Sequence, residues 1–586
     1  MIDQIAFTPP ASDTAPKSVD ELIRDIYNPG AIYYARTNML NTLSEKRIRM
    51  LSNAIRGKAS WIAKMSDPEI RARWTTEAKL QDTMLTDREI EYVFDELSYY
   101  ASLHEPESGI LLSTTEQVWY SDTLISEETE REIKRYAAIL ENVPARLKDW
   151  HPNSNNQVLN LVHPSLFPII YGRTMLLDKP IPSPMAALEL KSFGTCPKSL
   201  SEWREAVRCF ENSNGGDQSN QPYYVPTDPD IRPHMREYAF ASAKFCWLPT
   251  EFNVAEDGHV EIESYINNLH PVKHAAFYST IAKVFGKFVP LLEQVVTDLV
   301  YPRERRIAPD SSAWYKSDEP EPIYDGSDSY DERYELWMDR RTFVPPQPEP
   351  FVTPGRPTKP YSLRGRRLQA IFKMSSIVLT PDNPEYKGGS WHVEAMGNER
   401  IIATGIYYYD VENITESNLA FRESVDEFYE YEQGDSRGVE LAYGLVDDDE
   451  AFLLQEIGQV ETKEGRCIVF PNVYQHKVGG FKLADPTKPG HRKIFAFFFI
   501  DPATRIPSTE IVPPQQQEWW ADTISSVDPI GNLPTLVMDT VLENVLFPIS
   551  MRDAKNIRLE LIAERSTTNS NITENFYTPY FTLCEH

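Results

Sequence analysis

Apolar side chains recur at intervals of three and four along the first part of the chain, in the stretches 44–79, 87–103 and 127–140. That period predicts amphipathic helices. Ser126 is placed to cap the third, with Glu127 and Glu128 putting negative charge in its first turn. A broader stripe of Phe277, Ile281, Val284, Phe285, Phe288, Leu292 and Val295 predicts a core helix across 271–300, kinked at Pro290. From Leu368 the period falls to two. Strands are expected at 368–380, 391–394, 401–409, 418–423, 465–470 and 493–500, separated by turn signals such as Gly388-Gly389 and Gly479-Gly480. Short strands with long insertions predict an α+β chain whose core is a double-stranded β-helix, a form of jelly roll. The expected plan is a mainly helical region 1–210, the jelly-roll core 235–510 and a helical extension 511–586. Residues 301–360, acidic and rich in proline, read as a long irregular insertion.

Charge narrows the partners. Asp and Glu number 87 against 59 Lys and Arg, a net charge of −28, and such a field repels phosphate backbones and anionic lipid. Nucleic acid and membrane are therefore excluded as expected partners. Arg303, Arg305 and Arg306 form the densest basic cluster, which reads as a solvated loop. The five cysteines are scattered and lack CxxC spacing, which argues against a zinc cluster or a disulfide framework. With no basic-then-apolar leader at the N-terminus and no run of membrane-spanning length, an intracellular, cytoplasmic location is expected.

The candidate chemistry sits late in the chain. Gly388-Gly389-Ser390-Trp391-His392-Val393-Glu394 places a histidine and a carboxylate two apart, on one face of an extended strand, with Trp391 facing away. Pro471-Asn472-Val473-Tyr474-Gln475-His476 ends a buried strand in a turn, and Arg492 opens the next. His392, Glu394 and His476 can hold one metal ion and leave three coordination positions open. A second copy, His259-Val260-Glu261, follows a turn and has no downstream partner, so it reads as the start of a hairpin strand. Arg492 lies beside the apolar run 493–500 and needs an anion if it points inward.

The order His-x-Glu, His, Arg resembles the iron(II)/2-oxoglutarate-dependent dioxygenase superfamily. Thr404-Gly405-Ile406-Tyr407-Tyr408 is similar to a strand of its prolyl-hydroxylase-like members. That resemblance implies iron(II) on His392, Glu394 and His476, with 2-oxoglutarate held by Arg492 and Tyr408, assisted by Thr404. Glu394 stands where Asp is commoner, as in jumonji-type branches, and Ile494 stands where other branches carry Ser or Thr. Across its length the chain also resembles a large, mostly fungal family of unknown function. The implied activity is oxidation, by default hydroxylation, of a small organic molecule with dioxygen. Asn267, Asn268 and His270 at a strand-to-helix turn, with Tyr407 and Met396 near the metal, are the expected substrate contacts. A cupin-like iron oxygenase without 2-oxoglutarate, a protein hydroxylase and a non-catalytic jelly-roll binder stay open as alternatives.

Overall fold

The computed structural model describes residues 40–573 apart from 191, 214–224, 226–240, 304, 358, 426–430, 433, 447–453, 525–532 and 546. It is a mixed helix-and-sheet fold built on one large antiparallel sheet. The long strand Arg366–Leu379 pairs with Gly490–Ile500 from Ala370 opposite Phe499 to Leu379 opposite Gly490. Outward from there come Ile401–Glu412, Cys467–Pro471 and Trp119–Ser121. On its other edge Arg366–Leu379 pairs with Val158–Val162 and Thr250–Val254. A second sheet consists of Leu454–Glu461, Asn418–Ser424 and Gln475–Val478, with a single bridge from His392 to His476 on its edge.

Strand alternation decides what each face of the large sheet meets. Phe495, Phe497 and Phe499 pack one way, against Phe277, Phe285 and Phe288 of the helix Ala275–Val300. Ile406, Tyr408, Ile468, Phe470 and Ala496 pack the other way, against Leu419, Phe421, Ile457 and Val460 of the second sheet. Both faces are therefore core, which explains the almost continuously apolar run 494–500. Truncating a phenylalanine such as Phe497 to alanine would cost about 3–5 kcal/mol.

Ala275–Val300 accommodates Pro290 and is, among the described residues, the one helix long and apolar enough to cross a membrane. Its contacts with the sheet account for that composition. The run 44–79 divides into Leu43–Arg56, Trp61–Met65 and Pro68–Gln81. Gly57 ends the first of these, and Asp67 with Pro68 starts the third. Asp87–Ser102 opens on a capping box between Thr86 and Glu89, and Glu127–Glu141 is capped by Ser126 as expected. The segment read as an irregular insertion carries a helix, Tyr330–Arg340, and a short hairpin of Tyr315–Lys316 with Thr342–Phe343.

The arginine cluster corrects the sequence reading. Arg306 is only 6% exposed and bonds Glu45, Glu96 and Glu116, and Arg303 also reaches Glu96 and Glu116. The helices Leu43–Arg56 and Asp87–Ser102 bring Glu45 and Glu96, and the turn before Trp119–Ser121 brings Glu116, all from far away in sequence, so a local reading saw only solvated charge.

Candidate metal centre

Gly388 and Gly389 bring the chain against the edge of Gln475–Val478. Gly388 has φ +95°, and a Cβ there would stand 2.8 Å from the Val478 carbonyl oxygen, so only glycine fits. The Gly389 amide then donates to that oxygen at 3.0 Å. Three residues on, the backbones of His392 and His476 pair, and Ala395 at φ +59° turns the chain away. The strand expected at 391–394 is thus a single bridge, which still suffices to set the two imidazoles side by side.

His392 Nδ1 lies 2.8 Å from the Ser390 carbonyl oxygen. As donor there, it leaves Nε2 unprotonated. That Nε2 is 3.9 Å from Glu394 Oε1, and His476 Nε2 is 3.4 Å from the same oxygen. The three ligand atoms all lie within 4.8 Å of one another. His476 is 3% exposed and packs on the Phe470 ring at 4.8 Å. Burial, then the neighbouring His476, pushes the His392 imidazole down to about 4. Burial alone would raise the Glu394 carboxyl, but the bond from His476 and the pull of His392 hold it at about 2. At neutral pH His392 is therefore uncharged and Glu394 ionised. Two imidazoles converging on one carboxylate oxygen fit a divalent transition metal such as iron(II).

Asn472 completes the arrangement and was not singled out from the sequence. Its Oδ1 accepts from the Glu394 amide at 2.8 Å, and its Nδ2 donates to the carbonyls of Glu394 and Ile401, each at 3.1 Å. One side chain so fixes the Glu394 backbone to the segment that carries His476.

Arg492, 2% exposed, lies between the sheets. Its Nη1 donates to Ser417 Oγ and Thr462 Oγ1, each at 3.2 Å, and its Cζ sits 5.5 Å from the Tyr408 ring centroid and 5.1 Å from that of Phe481. Among the described residues no carboxylate pairs with it, and its Nε is buried without a partner. Burial pushes its pKa below the ordinary guanidinium value, with Tyr408 and Tyr386 pulling the other way. Thr404 shares the inward face with Tyr408, and its hydroxyl is also buried without a partner.

Several expected substrate contacts lie elsewhere. Tyr407 occupies the opposite face of its strand, and its hydroxyl donates to Glu130 Oε2 at 3.0 Å on the helix Glu127–Glu141. Alternation already placed it there, one residue from an inward Tyr408. The turn 267–270 is occupied by structural bonds. Asn267 Nδ2 donates to the Phe167 carbonyl at 3.0 Å and Asn268 Nδ2 to that of Leu166 at 2.8 Å. Gln516 Nε2 donates to Asn267 Oδ1 at 2.8 Å. His270 Nδ1 accepts the amides of Val272 and Lys273. The polar signal at this turn comes from satisfying backbone groups. Met396 is buried two residues beyond Glu394, with its amide donating to Glu399. The Trp391 ring lies on the outer side, flanked by Arg422 and Lys477. The second copy, His259 with Glu261, sits at the mouth of a hairpin, Val260–Ile262 pairing with Thr250–Val254.

The helix Met551–Ile572 closes over this region. Asn569 Nδ2 donates to the Trp391 carbonyl at 3.0 Å, and Gln475 Nε2 donates to Thr573 Oγ1 at 3.1 Å. Arg565 bonds Glu399 and stacks 3.8 Å from the Trp247 ring centroid.

Residues 87–523 match the family described as proteins of unknown function, DUF4246, and the chain belongs to that family. No curated protein matches the sequence. Among solved structures it is similar to an Fe(II)/α-ketoglutarate-dependent dioxygenase, TqaL, at 10% identity and a TM-score of 0.21. That likeness covers 43% of this chain and 66% of the other. A bsmA homologue from Methylobium petroleophilum is similar at 6% identity and a TM-score of 0.15, over 24% of this chain and 44% of that one. The chain so spans less than two thirds of either protein.

Proposed function

We propose that this protein is a non-haem iron(II) oxygenase that takes 2-oxoglutarate as co-substrate and oxidises, by default hydroxylates, a small organic molecule. The observation that carries the reading is Arg492, a buried cation with no carboxylate partner among the described residues, facing the same inter-sheet space as the triad. A guanidinium desolvated in this way is costly unless an anion joins it. The distal carboxylate of 2-oxoglutarate matches its planar fork. Strand order supports a double-stranded β-helix: from 366 to 500 the chain passes repeatedly from the large sheet to the small one and back.

In this reading His392, Glu394 and His476 hold iron(II), which with bound 2-oxoglutarate and dioxygen supplies the oxidising chemistry. Ser390 orients His392 through Nδ1, and Asn472 orients Glu394 through the backbone. Arg492 neutralises the far end of the co-substrate, Tyr408 lies against the guanidinium, and the Thr404 hydroxyl is free to bond the same molecule. The C-terminal helix limits access of water to the centre. An iron oxygenase working without 2-oxoglutarate would give Arg492 nothing to bind.

Anaerobic titration with iron(II) and 2-oxoglutarate tests the proposal. A weak visible charge-transfer band, followed by succinate release on admitting air, is the expected result. Absence of both overturns it.

A further inference from the structure

The inward face of the large sheet carries a second cation. Phe372 and Met374 pack on the helix side of Arg366–Leu379, so Lys373 between them faces the inter-sheet space. It stands opposite Ala496, which packs inward, whereas Arg492 stands opposite Ile377, four residues further along. At about 3.3 Å per residue that separates the two backbone positions by roughly 13 Å. Lys373 forms no ion pair among the described residues; its Nζ lies 5.8 Å from the Phe498 ring centroid. Ala496 belongs to the same apolar cluster as Phe470, on which His476 packs, so Lys373 lies on the sheet face that the candidate ligands meet.

The groups around Lys373 do not neutralise it. His151 and His163 lie with ring centroids 5.3 Å apart, and burial holds both imidazoles uncharged. Asp149 is engaged by Arg558 at 2.7 Å, and Glu399 by Arg565. Next to Lys373, Phe498 stacks on Trp247 at 5.6 Å, and the Arg565 guanidinium lies 3.8 Å from the same indole. The Trp247 indole N–H and Arg565 Nη1 are buried without partners, as are the acceptor oxygens Asp149 Oδ1 and Asn569 Oδ1.

We infer that Lys373 seats a carboxylate of the substrate beside the candidate metal ligands, so that the substrate is a small organic acid. The inference rests on the oxygenase reading and deepens it. Arg492 serves the co-substrate, and Lys373, set well apart on the same face, serves the second acid.

Benzoate and benzamide, which share a ring and differ in charge, are the probes. Their binding to full-length protein loaded with nickel(II) and 2-oxoglutarate is followed by saturation-transfer NMR, in wild type, Lys373→Met and Lys373→Arg. Wild type should prefer benzoate by at least about tenfold, a modest figure for a partly buried charge pair. Lys373→Met should lose the preference while keeping metal and 2-oxoglutarate, which also shows that it folds, and Lys373→Arg should retain most of it. The inference is overturned if wild type fails to prefer benzoate, if Lys373→Met keeps the preference, or if that variant loses 2-oxoglutarate instead. A wild-type protein that takes up no 2-oxoglutarate sinks the oxygenase reading, a result distinct from any of these.

Discussion

The amide of His392 donates to the carbonyl of His476 at 3.2 Å, and the amide of His476 returns a bond to His392 at 2.9 Å. This reciprocal pair brings the ring centroids to 4.4 Å. The spacing of the metal ligands is therefore set by backbone pairing at a sheet edge, and it does not depend on the rings themselves.

Removing a ring should accordingly remove the metal and spare the fold. His392→Ala, Glu394→Ala and His476→Ala are each expected to abolish iron(II) binding near neutral pH with little change in circular dichroism. His259→Ala, at the unpartnered hairpin copy, should bind like wild type. Isothermal titration with iron(II) or manganese(II) decides it; wild-type affinity in His476→Ala would falsify the triad.

Asn472→Ala should loosen the site through the backbone. It leaves the Glu394 amide and two carbonyls without their partner. Unsatisfied groups of this kind cost about 1–3 kcal/mol, and loss of a group that orients a ligand weakens metal affinity about 10–100-fold. Urea unfolding and metal titration on one preparation measure both effects. An unchanged metal affinity would show that the clamp does not transmit to the carboxylate.

Arg492→Met should separate stability from binding. Without co-substrate the buried cation lacks a counter-charge, so a methionine of similar length should leave the unliganded protein as stable or more so. The same change should erase the rise in Tm that 2-oxoglutarate gives wild type, a loss of about 2–5 kcal/mol in binding. A preserved thermal shift would place the anion site elsewhere.

The two neighbouring tyrosines should behave differently. Tyr407→Phe loses a bond to Glu130, and about 1 kcal/mol of stability, without affecting 2-oxoglutarate. Tyr408→Phe is expected to raise the apparent KM for 2-oxoglutarate, since it keeps the ring against Arg492 but removes the hydroxyl that the proposal gives to the co-substrate. Steady-state succinate assays on both variants make the comparison, and equal effects would contradict the assignment of faces.

Acid should destabilise the protein through His151 and His163. Burial, then Lys373, holds His151 at about 4 and His163 well below the ordinary 6.5. The unfolded chain takes up these protons near pH 6.5 and the folded one refuses them. Stability from this pair is therefore complete above pH 6.5 and falls as pH drops toward 4. His151→Asn should flatten that part of the decline in urea midpoints between pH 7 and 5, and an unaltered slope would assign the loss to other groups.

The candidate site residues could be singled out because each is a local event: a histidine and a carboxylate two apart after a glycine turn, a histidine after a buried strand, an arginine before one. Five of the six expected strands and the long core helix were legible for the same reason, since alternation and the helical stripe are read within a dozen residues, whereas 391–394 makes only a single bridge. The strands Leu454–Glu461 and Gln475–Val478 were not picked out; one is mixed and the other short. Asn472 looked like a turn residue because its acceptors, Glu394 and Ile401, come from another part of the chain. Long-range partners also misled the reading of the turn 267–270, whose polarity is used by residues 163–167 and Gln516, and of Arg303 and Arg306, whose carboxylates arrive on two helices and a turn.

The Met551–Ile572 helix holds the Trp391 carbonyl through Asn569 and lays Arg565 across Trp247. Every metal ligand precedes it in the chain, so during synthesis the ligands leave the ribosome before the helix that covers them. For that interval the centre stands open on one side to ions and water. If the centre takes the metal proposed for it, loading has an order in time as well as a geometry: the side on which the helix docks is open only to an ion taken up early.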